Sequence, residues 1–225
     1  MNHLLSIIVP TYNEEKTIEV IINKVINLPI EKEIIVVNDC SNDRTAEILR
    51  SFSSTNLKVI HHVSRRGKGA AVRTGLENAM GEFIIFQDAD LEYDPNDYFR
   101  LLEAINNQGV DIVLGARFTK EYYGRLIPKM GNRFLTKLFN MLFAVKLNDC
   151  FSCYKLMRRE SMLGLGLESN GFDIEIEILT KAIKKGMRML EVPVSYNPRS
   201  YREGKKIRIC DGFWVIIRML HFRLS

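Results

Sequence analysis

Short apolar runs rich in β-branched residues recur along the first half of the chain, at Ser6–Pro10, Glu33–Val37, Leu57–Ile60, Glu82–Phe86 and Asp111–Leu114. Their length and composition are those of buried strands. Between them the apolar positions fall at helical spacing, over about 14–27, 43–53, 68–80 and 95–108, with Asp43 and Asp94 placed to act as N-caps and Pro95 suited to a first helical turn. This alternation predicts an α/β fold, one mainly parallel Rossmann-like sheet flanked by helices and joined by right-handed crossovers. After Gly115 the alternation breaks. Helical patterns over about 126–145 and 173–186, a strand at 189–194 and an amphipathic helix from about Asp211, with Phe213, Ile217, Leu220 and Leu224 on one side, complete the chain. A single domain over 1–225 is expected, with a break in character near residue 117.

No apolar run approaches the roughly 20 residues that span a bilayer, and the N-terminus lacks a basic leader and cleavage site, so a cytoplasmic protein is expected. Four cysteines, Cys40, Cys150, Cys153 and Cys210, are too few for a disulfide framework and lack zinc spacing, which favours plain packing for the Cys150/Cys153 pair. The net charge of +5 is unevenly spread. Between Glu121 and Asp149 there is no acid, while Arg125, Lys129, Arg133, Lys137 and Lys146 are basic; a second cluster comprises Arg199, Arg202, Lys205, Lys206 and Arg208. These regions suggest phosphates or an anionic membrane surface, with nucleic acid as the competing reading. On the 126–145 helix the basic residues lie beside Phe134, Leu138, Phe139, Leu142 and Phe143. That face suits a lipid surface; a core-packing helix with solvated lysines is the alternative.

The chemistry concentrates where the strand Phe83–Phe86 runs into Asp88 and Asp90. Side chains two apart on an extended segment point the same way, so both carboxylates can reach one Mg2+ or Mn2+ ion. Ligands of open α/β sheets also gather beyond the carboxyl ends of strands. The first strand–helix turn, Pro10–Glu15, contains no glycine, which argues against a dinucleotide fold. Arg66-Gly-Lys-Gly-Ala-Ala71 has the wrong spacing for a nucleotide-triphosphate loop, yet its glycines and Lys68 at a helix start could approach a phosphate; a plain basic turn is the alternative.

Ile8-Val-Pro-Thr-Tyr-Asn-Glu14, Val37-Asn-Asp39, Gly67-Lys-Gly69, Gln87-Asp-Ala-Asp90, Gly115-Ala-Arg117 and Glu191-Val-Pro-Val-Ser-Tyr196 together resemble the family 2 glycosyltransferases of GT-A fold, most closely the dolichyl- and polyprenyl-phosphate mannose synthases. The resemblance runs in order from residue 6 to the C-terminus. It implies a nucleotide-sugar-binding half, 1–117, in which Pro10, Tyr12 and Glu14 line the nucleotide pocket, Asp39 bonds base or ribose, Lys68 lies near the nucleotide, and Asp88 and Asp90 hold the metal. Arg117, where that half ends, would contact donor or acceptor phosphate, and in the acceptor- and membrane-facing half, 118–225, Arg133 and Thr136 would sit beside the lipid phosphate. Pro198–Lys206 would be a basic loop closing over the diphosphate with Arg202, Lys205 and Lys206, so that Asp90, Arg117 and Arg202 carry the catalysis. Many synthases of the group have Gly-Glu-Ser-Lys there, where this chain has Glu203-Gly-Lys-Lys206.

The implied substrates are a GDP- or UDP-hexose and a lipid phosphate, with no nucleic acid, on the inner face of the membrane. A hydroxyl acceptor needs a carboxylate base, whereas a phosphate with a second pKa of about 6 arrives largely ionised. Absence of the Gln-x-x-Arg-Trp motif of processive synthases favours the phosphate. Asp149, Asp173, Glu175 and Glu177 remain candidate bases for the other reading, transfer to a saccharide or glycolipid hydroxyl. A capping Asp and a solvated helix face are the bland explanation of the last three. A non-catalytic nucleotide- or RNA-binding module is a third reading, disfavoured by the carboxylate pair.

Overall fold

The computed structural model describes residues 4–117, 126–199 and 209–224. One seven-stranded sheet, ordered β3-β2-β1-β4-β6-β5-β7, runs through it. The strands are β1 (Leu5–Thr11), β2 (Lys32–Asn38), β3 (Leu57–His61), β4 (Phe83–Phe86), β5 (Ile112–Ala116), β6 (Lys155–Arg158) and β7 (Met189–Pro193). Pairing is parallel except along β6, which lies antiparallel between β4 and β5. The mixed α/β sheet flanked by helices is the predicted architecture with one reversed strand. Strands β1, β2 and β4 are almost continuously buried, as central parallel strands must be.

The helices are α1 (Ile18–Ile26), α2 (Thr45–Arg50), α3 (Lys68–Glu77), α4 (Tyr98–Asn107), α5 (Leu126–Phe143), α6 (Arg159–Leu163), α7 (Ile174–Lys184) and α8 (Ile209–Leu224). Asp94 caps its turn as expected, its side chain accepting from Asn96 N–H at 3.1 Å, and Asp43 accepts from Thr45 N–H at 2.9 Å. Two short elements, β6 and α6, were not predicted. Lys-Leu-Met-Arg is too short and too basic to read as a strand, and takes that form because β4 and β5 flank it with open edges.

The amphipathic helices correct one expectation and sharpen another. On α5, Phe139 and Phe143 are buried in the core, so most of the stripe named for lipid packs inward; Met130, Phe134 and Met141 are the exposed apolar groups. On α8 the predicted side faces out: Phe213, Trp214, Ile217, Leu220 and Leu224 are exposed, while Met219 and Phe222 are buried. No helix among the described residues is long and apolar enough to cross a membrane.

Candidate active site

Because β1, β2, β4 and β5 point the same way, their C-terminal ends open along one edge, which is where the sheet architecture gathers ligands. The loops there are tied to one another. Asn13, at φ 50°, donates its N–H to Ser41 Oγ at 2.9 Å, and Glu14 N–H donates to Thr45 Oγ1 at 2.9 Å, so the first two strand-end loops are pinned to each other. Pro10, the last residue but one of β1, is half-buried, and the Arg65 guanidinium lies 4.2 Å from the Tyr12 ring centre. Asp39 is buried and accepts from His62 Nδ1 at 2.7 Å, Arg66 N–H at 2.8 Å and Gly67 N–H at 2.7 Å. Its carboxylate therefore shapes the turn into α3.

That turn differs from expectation. Gly67 has φ 96°, and a Cβ on Gly67 or Gly69 would lie 2.3 Å from a carbonyl oxygen of Asn170 or Ser169. The close approach these glycines permit is to the 169–170 loop. Gly69 N–H donates to Asn170 O at 2.8 Å, so the start of α3 is capped by protein and its contribution to a ligand is the Lys68 side chain. Lys68 Nζ reaches Asp88 Oδ1 at 2.7 Å and Glu175 Oε1 at 3.0 Å, and Lys155 grips the other oxygen of Glu175. Burial pushes Asp88 up, but the charge and hydrogen bond of Lys68, together with Cys153 and Lys155, bring it below the usual carboxylate value.

Asp90 has the opposite setting. Burial, then the charges of Asp88 and Glu92, push it up to about 7 against the pull of Arg199, whose Nη2 donates to Asp90 Oδ2 at 2.9 Å. Leu91 between Asp90 and Glu92 adopts φ 62°, a conformation costly for a branched side chain. Glu92 turns to the segment before the basic loop, accepting from Tyr196 Oη at 2.8 Å and Arg199 N–H at 2.9 Å. The Tyr196 ring in turn lies 5.0 Å from the Arg117 guanidinium.

Arg117, at the end of β5, is gripped by Asp149 through Nε at 2.6 Å and Nη2 at 2.8 Å, and Asn132 of α5 donates to the same carboxylate at 3.1 Å. Burial pushes Asp149 up; Arg117 and its hydrogen bonds bring it below the ordinary value. Arg133 and Thr136 lie further along α5, where an open groove of about 500 Å3 is lined by Arg133, Thr136, Lys137 and Asn140 among others. Thr136 is buried and Arg133 exposed. The structure thus joins Glu14 to Asp90 through Arg199 and Lys68 to Asp88, sets Arg117 against the Tyr196 ring, keeps Tyr12 beside Arg65 and Asp39 at the turn into α3, and places Arg133 and Thr136 on the helix that braces Arg117. Arg202, Lys205 and Lys206 lie outside the described residues.

The remaining acids are corrected. Asp173 pairs with Arg218 of α8 at 2.7 Å. Glu177 is fully buried, neither a cleft base nor a solvated face, and accepts from Glu168 and Ser169 N–H at 2.8 Å each while pairing with Lys181 at 2.7 Å. Cys150 and Cys153 are buried thiols raised by desolvation, in keeping with packing.

Residues 6–165 match the model of glycosyl transferase family 2. The chain belongs to this family. It is 34% identical over 215 residues to the dolichol-phosphate mannosyltransferase of Pyrococcus furiosus, covering 89% of this chain and 58% of that protein. It is 29% identical over 219 residues to the polyprenol monophosphomannose synthase of Mycolicibacterium smegmatis, covering 90% and 82%. The chain spans between about half and two thirds of the length of the first curated relatives it matches. Glucosyl-3-phosphoglycerate synthase of Mycobacterium tuberculosis, solved with Mn2+, UDP and phosphoglyceric acid, shares the fold at TM-score 0.75 and 19% identity over 98% of this chain and 78% of that one. The chain is thus a family 2 glycosyltransferase of GT-A fold. Among the described residues no three His, Cys, Asp or Glu converge as a cation cage, but a Mg2+-type ion is ordinarily held by one or two carboxylates plus substrate phosphates. Asp88 and Asp90 are two carboxylates at the open strand ends, and the crowding that raises Asp90 is of the kind that added positive charge relieves.

Proposed function

We propose that this family 2 glycosyltransferase is an inverting, metal-dependent hexosyltransferase. It moves a mannose- or glucose-type hexose from GDP or UDP to a polyprenyl or dolichyl phosphate. The observation that carries this reading is the commitment of every candidate base: Asp149 to Arg117, Asp173 to Arg218, Glu175 to Lys68 and Lys155, and Glu177 to backbone N–H groups and Lys181. A carboxylate whose oxygens are already engaged by cations or N–H donors is poorly placed to take a proton from a substrate hydroxyl. A phosphate dianion needs none; it needs cations and alignment, which Arg117 and Arg133 offer. The mannosyltransferases among the relatives favour the same acceptor class.

In this reading residues 1–117 bind the nucleotide sugar, with Pro10, Tyr12, Glu14 and Asp39 about the nucleoside and Lys68 toward the phosphates. Asp88 and Asp90 would hold the Mg2+ or Mn2+ ion. When bound, the ion neutralises charge on the departing nucleoside diphosphate. The acceptor phosphate oxygen bonds to the anomeric carbon as the bond to the diphosphate breaks. Arg117, Arg133 and Thr136 align that phosphate, and Arg202, Lys205 and Lys206 cover the diphosphate. The test is the pH profile of kcat. Asp173→Asn and Glu177→Gln are expected to leave its shape unchanged, and Glu175→Gln to lower the rate through Lys68 without moving either limb. An amide variant that binds nucleotide sugar yet loses turnover and its acidic limb would transfer the case to a hydroxyl acceptor.

Association with an anionic membrane surface is part of the same proposal. It is supported by the exposed apolar face of α8 and by exposed Phe134 beside Arg133 and Lys137. Each basic group near such a surface contributes about 1 kcal/mol, screened by salt. Trp214 is the only tryptophan and is exposed, so it reports directly. Its emission is expected to shift to the blue with anionic vesicles at low salt and to return as salt is raised. No shift on anionic vesicles would remove the membrane reading.

A further inference from the structure

Arg199 bridges two strand-end loops, meeting a carboxylate on each. Its Nη1 donates to Glu14 Oε2 at 3.0 Å and its Nη2 to Asp90 Oδ2 at 2.9 Å. Its own N–H, and that of Asn197, dock on Glu92 at 2.9 and 2.8 Å, so the main chain holds the guanidinium in place. The fork is only partly used. Nε is buried and has no hydrogen-bond partner among the described residues, although buried donors are ordinarily satisfied.

We infer that Arg199 is a resident cation of the Asp90 site, which competes with the divalent ion for that carboxylate and keeps metal affinity low until a nucleoside diphosphate arrives. The inference rests on the reading of Asp88 and Asp90 as the metal pair. Each of these carboxylates already carries a protein cation, Lys68 on Asp88 and Arg199 on Asp90. A guanidinium does not lose its charge in a protein. A divalent ion on Asp90 must therefore displace Arg199 or sit within a few ångströms of it, and either cost exceeds a factor of about ten in affinity. Glu14 keeps hold of the other Nη, so displacement does not release the side chain. A diphosphate changes the balance: its oxygens add ligands for the metal and give the unpartnered Nε a charged acceptor. Metal and nucleotide then bind with positive coupling, and Arg199 is its source.

The experiment is Mn2+ titration of the full chain, followed by the EPR signal of free Mn2+, without nucleotide and with UDP or GDP. Wild type is compared with Arg199→Gln, Arg199→Lys and Asp90→Asn, each checked for a cooperative melt. Arg199→Gln is expected to bind Mn2+ alone about tenfold tighter than wild type, and the gain in Mn2+ affinity given by nucleotide is expected to shrink; by linkage the gain in nucleotide affinity given by Mn2+ shrinks equally in that variant. Arg199→Lys, which keeps the charge and loses the fork, should stay near wild type without nucleotide. Equal or weaker Mn2+ binding by Arg199→Gln overturns the inference. Mn2+ binding that is indifferent to Asp90→Asn, or absent even with both nucleotides, removes the metal reading itself and the inference with it.

Discussion

Replacing Asp90 by alanine is expected to lower sugar transfer at least about a thousandfold while leaving the protein folded. The rate effect follows from position: Asp90 lies at the open edge of the sheet, and in the proposed function it holds the charge that stabilises the leaving diphosphate. Losing such electrostatic stabilisation costs on the order of 10²–10³ per group, and more when a metal leaves with it. The stability effect is small because opposing terms cancel. The ionised carboxylate is disfavoured by burial and by Asp88 and Glu92, and removing it relieves that crowding. The substitution also gives up the Arg199 pair and the Glu92 N–H bond at 3.1 Å, leaving a net change within about 1 kcal/mol. Turnover at saturating Mn2+ and a urea denaturation curve check both halves. Normal turnover by this variant in excess chelator would contradict the metal role.

The largest stability loss is expected at Asp149. Its side chain is fully buried and gripped by Arg117, and Asp149→Asn leaves that guanidinium without its bidentate anion. Breaking one side of a buried pair costs about 3–5 kcal/mol. The sign with pH follows from the lowered value of Asp149: its stabilisation is complete above the unfolded carboxylate range of about 4 and is lost as pH falls through the lower folded value. Urea midpoints of wild type and variant should therefore lie far apart at pH 7 and converge toward pH 3. A gap that does not change with pH would assign the role to shape rather than charge. Because Arg117 also loses its orientation, kcat should fall in the variant with little change in nucleotide affinity.

What was legible in the chain and what was not divides along sequence distance. Strands β1, β2, β4 and β5 announced themselves because a buried parallel strand needs an unbroken β-branched run, and the chemistry at their ends came with them. Asp88, Asp90, Lys68 and Arg117 are singled out by local context together with the family resemblance. Their partners are not. Asp149 lies 32 residues from Arg117 and Glu175 20 residues from Lys155; nothing in either segment says which cation it will meet. Glu92 could have been found, since it continues the two-residue spacing of Asp88 and Asp90. Arg199 lies 109 residues from Asp90 and read only as one basic residue in a cluster. The outward face of α8 shows the same limit, for an amphipathic pattern identifies the stripe, and only packing decides whether the core or the outside receives it.

Transfer to a lipid phosphate is the central claim, and one measurement meets it directly. The protein is incubated with Mn2+, a short polyprenyl phosphate and, in parallel, radiolabelled GDP-mannose, GDP-glucose, UDP-glucose and UDP-galactose, and label is counted in the organic phase. One donor should give organic-phase label that depends on the polyprenyl phosphate, is released by mild acid as free hexose, and is lost with Asp90→Ala. If no donor labels the lipid phosphate, while one of them labels a saccharide or glycolipid hydroxyl under the same conditions, the proposed acceptor is wrong.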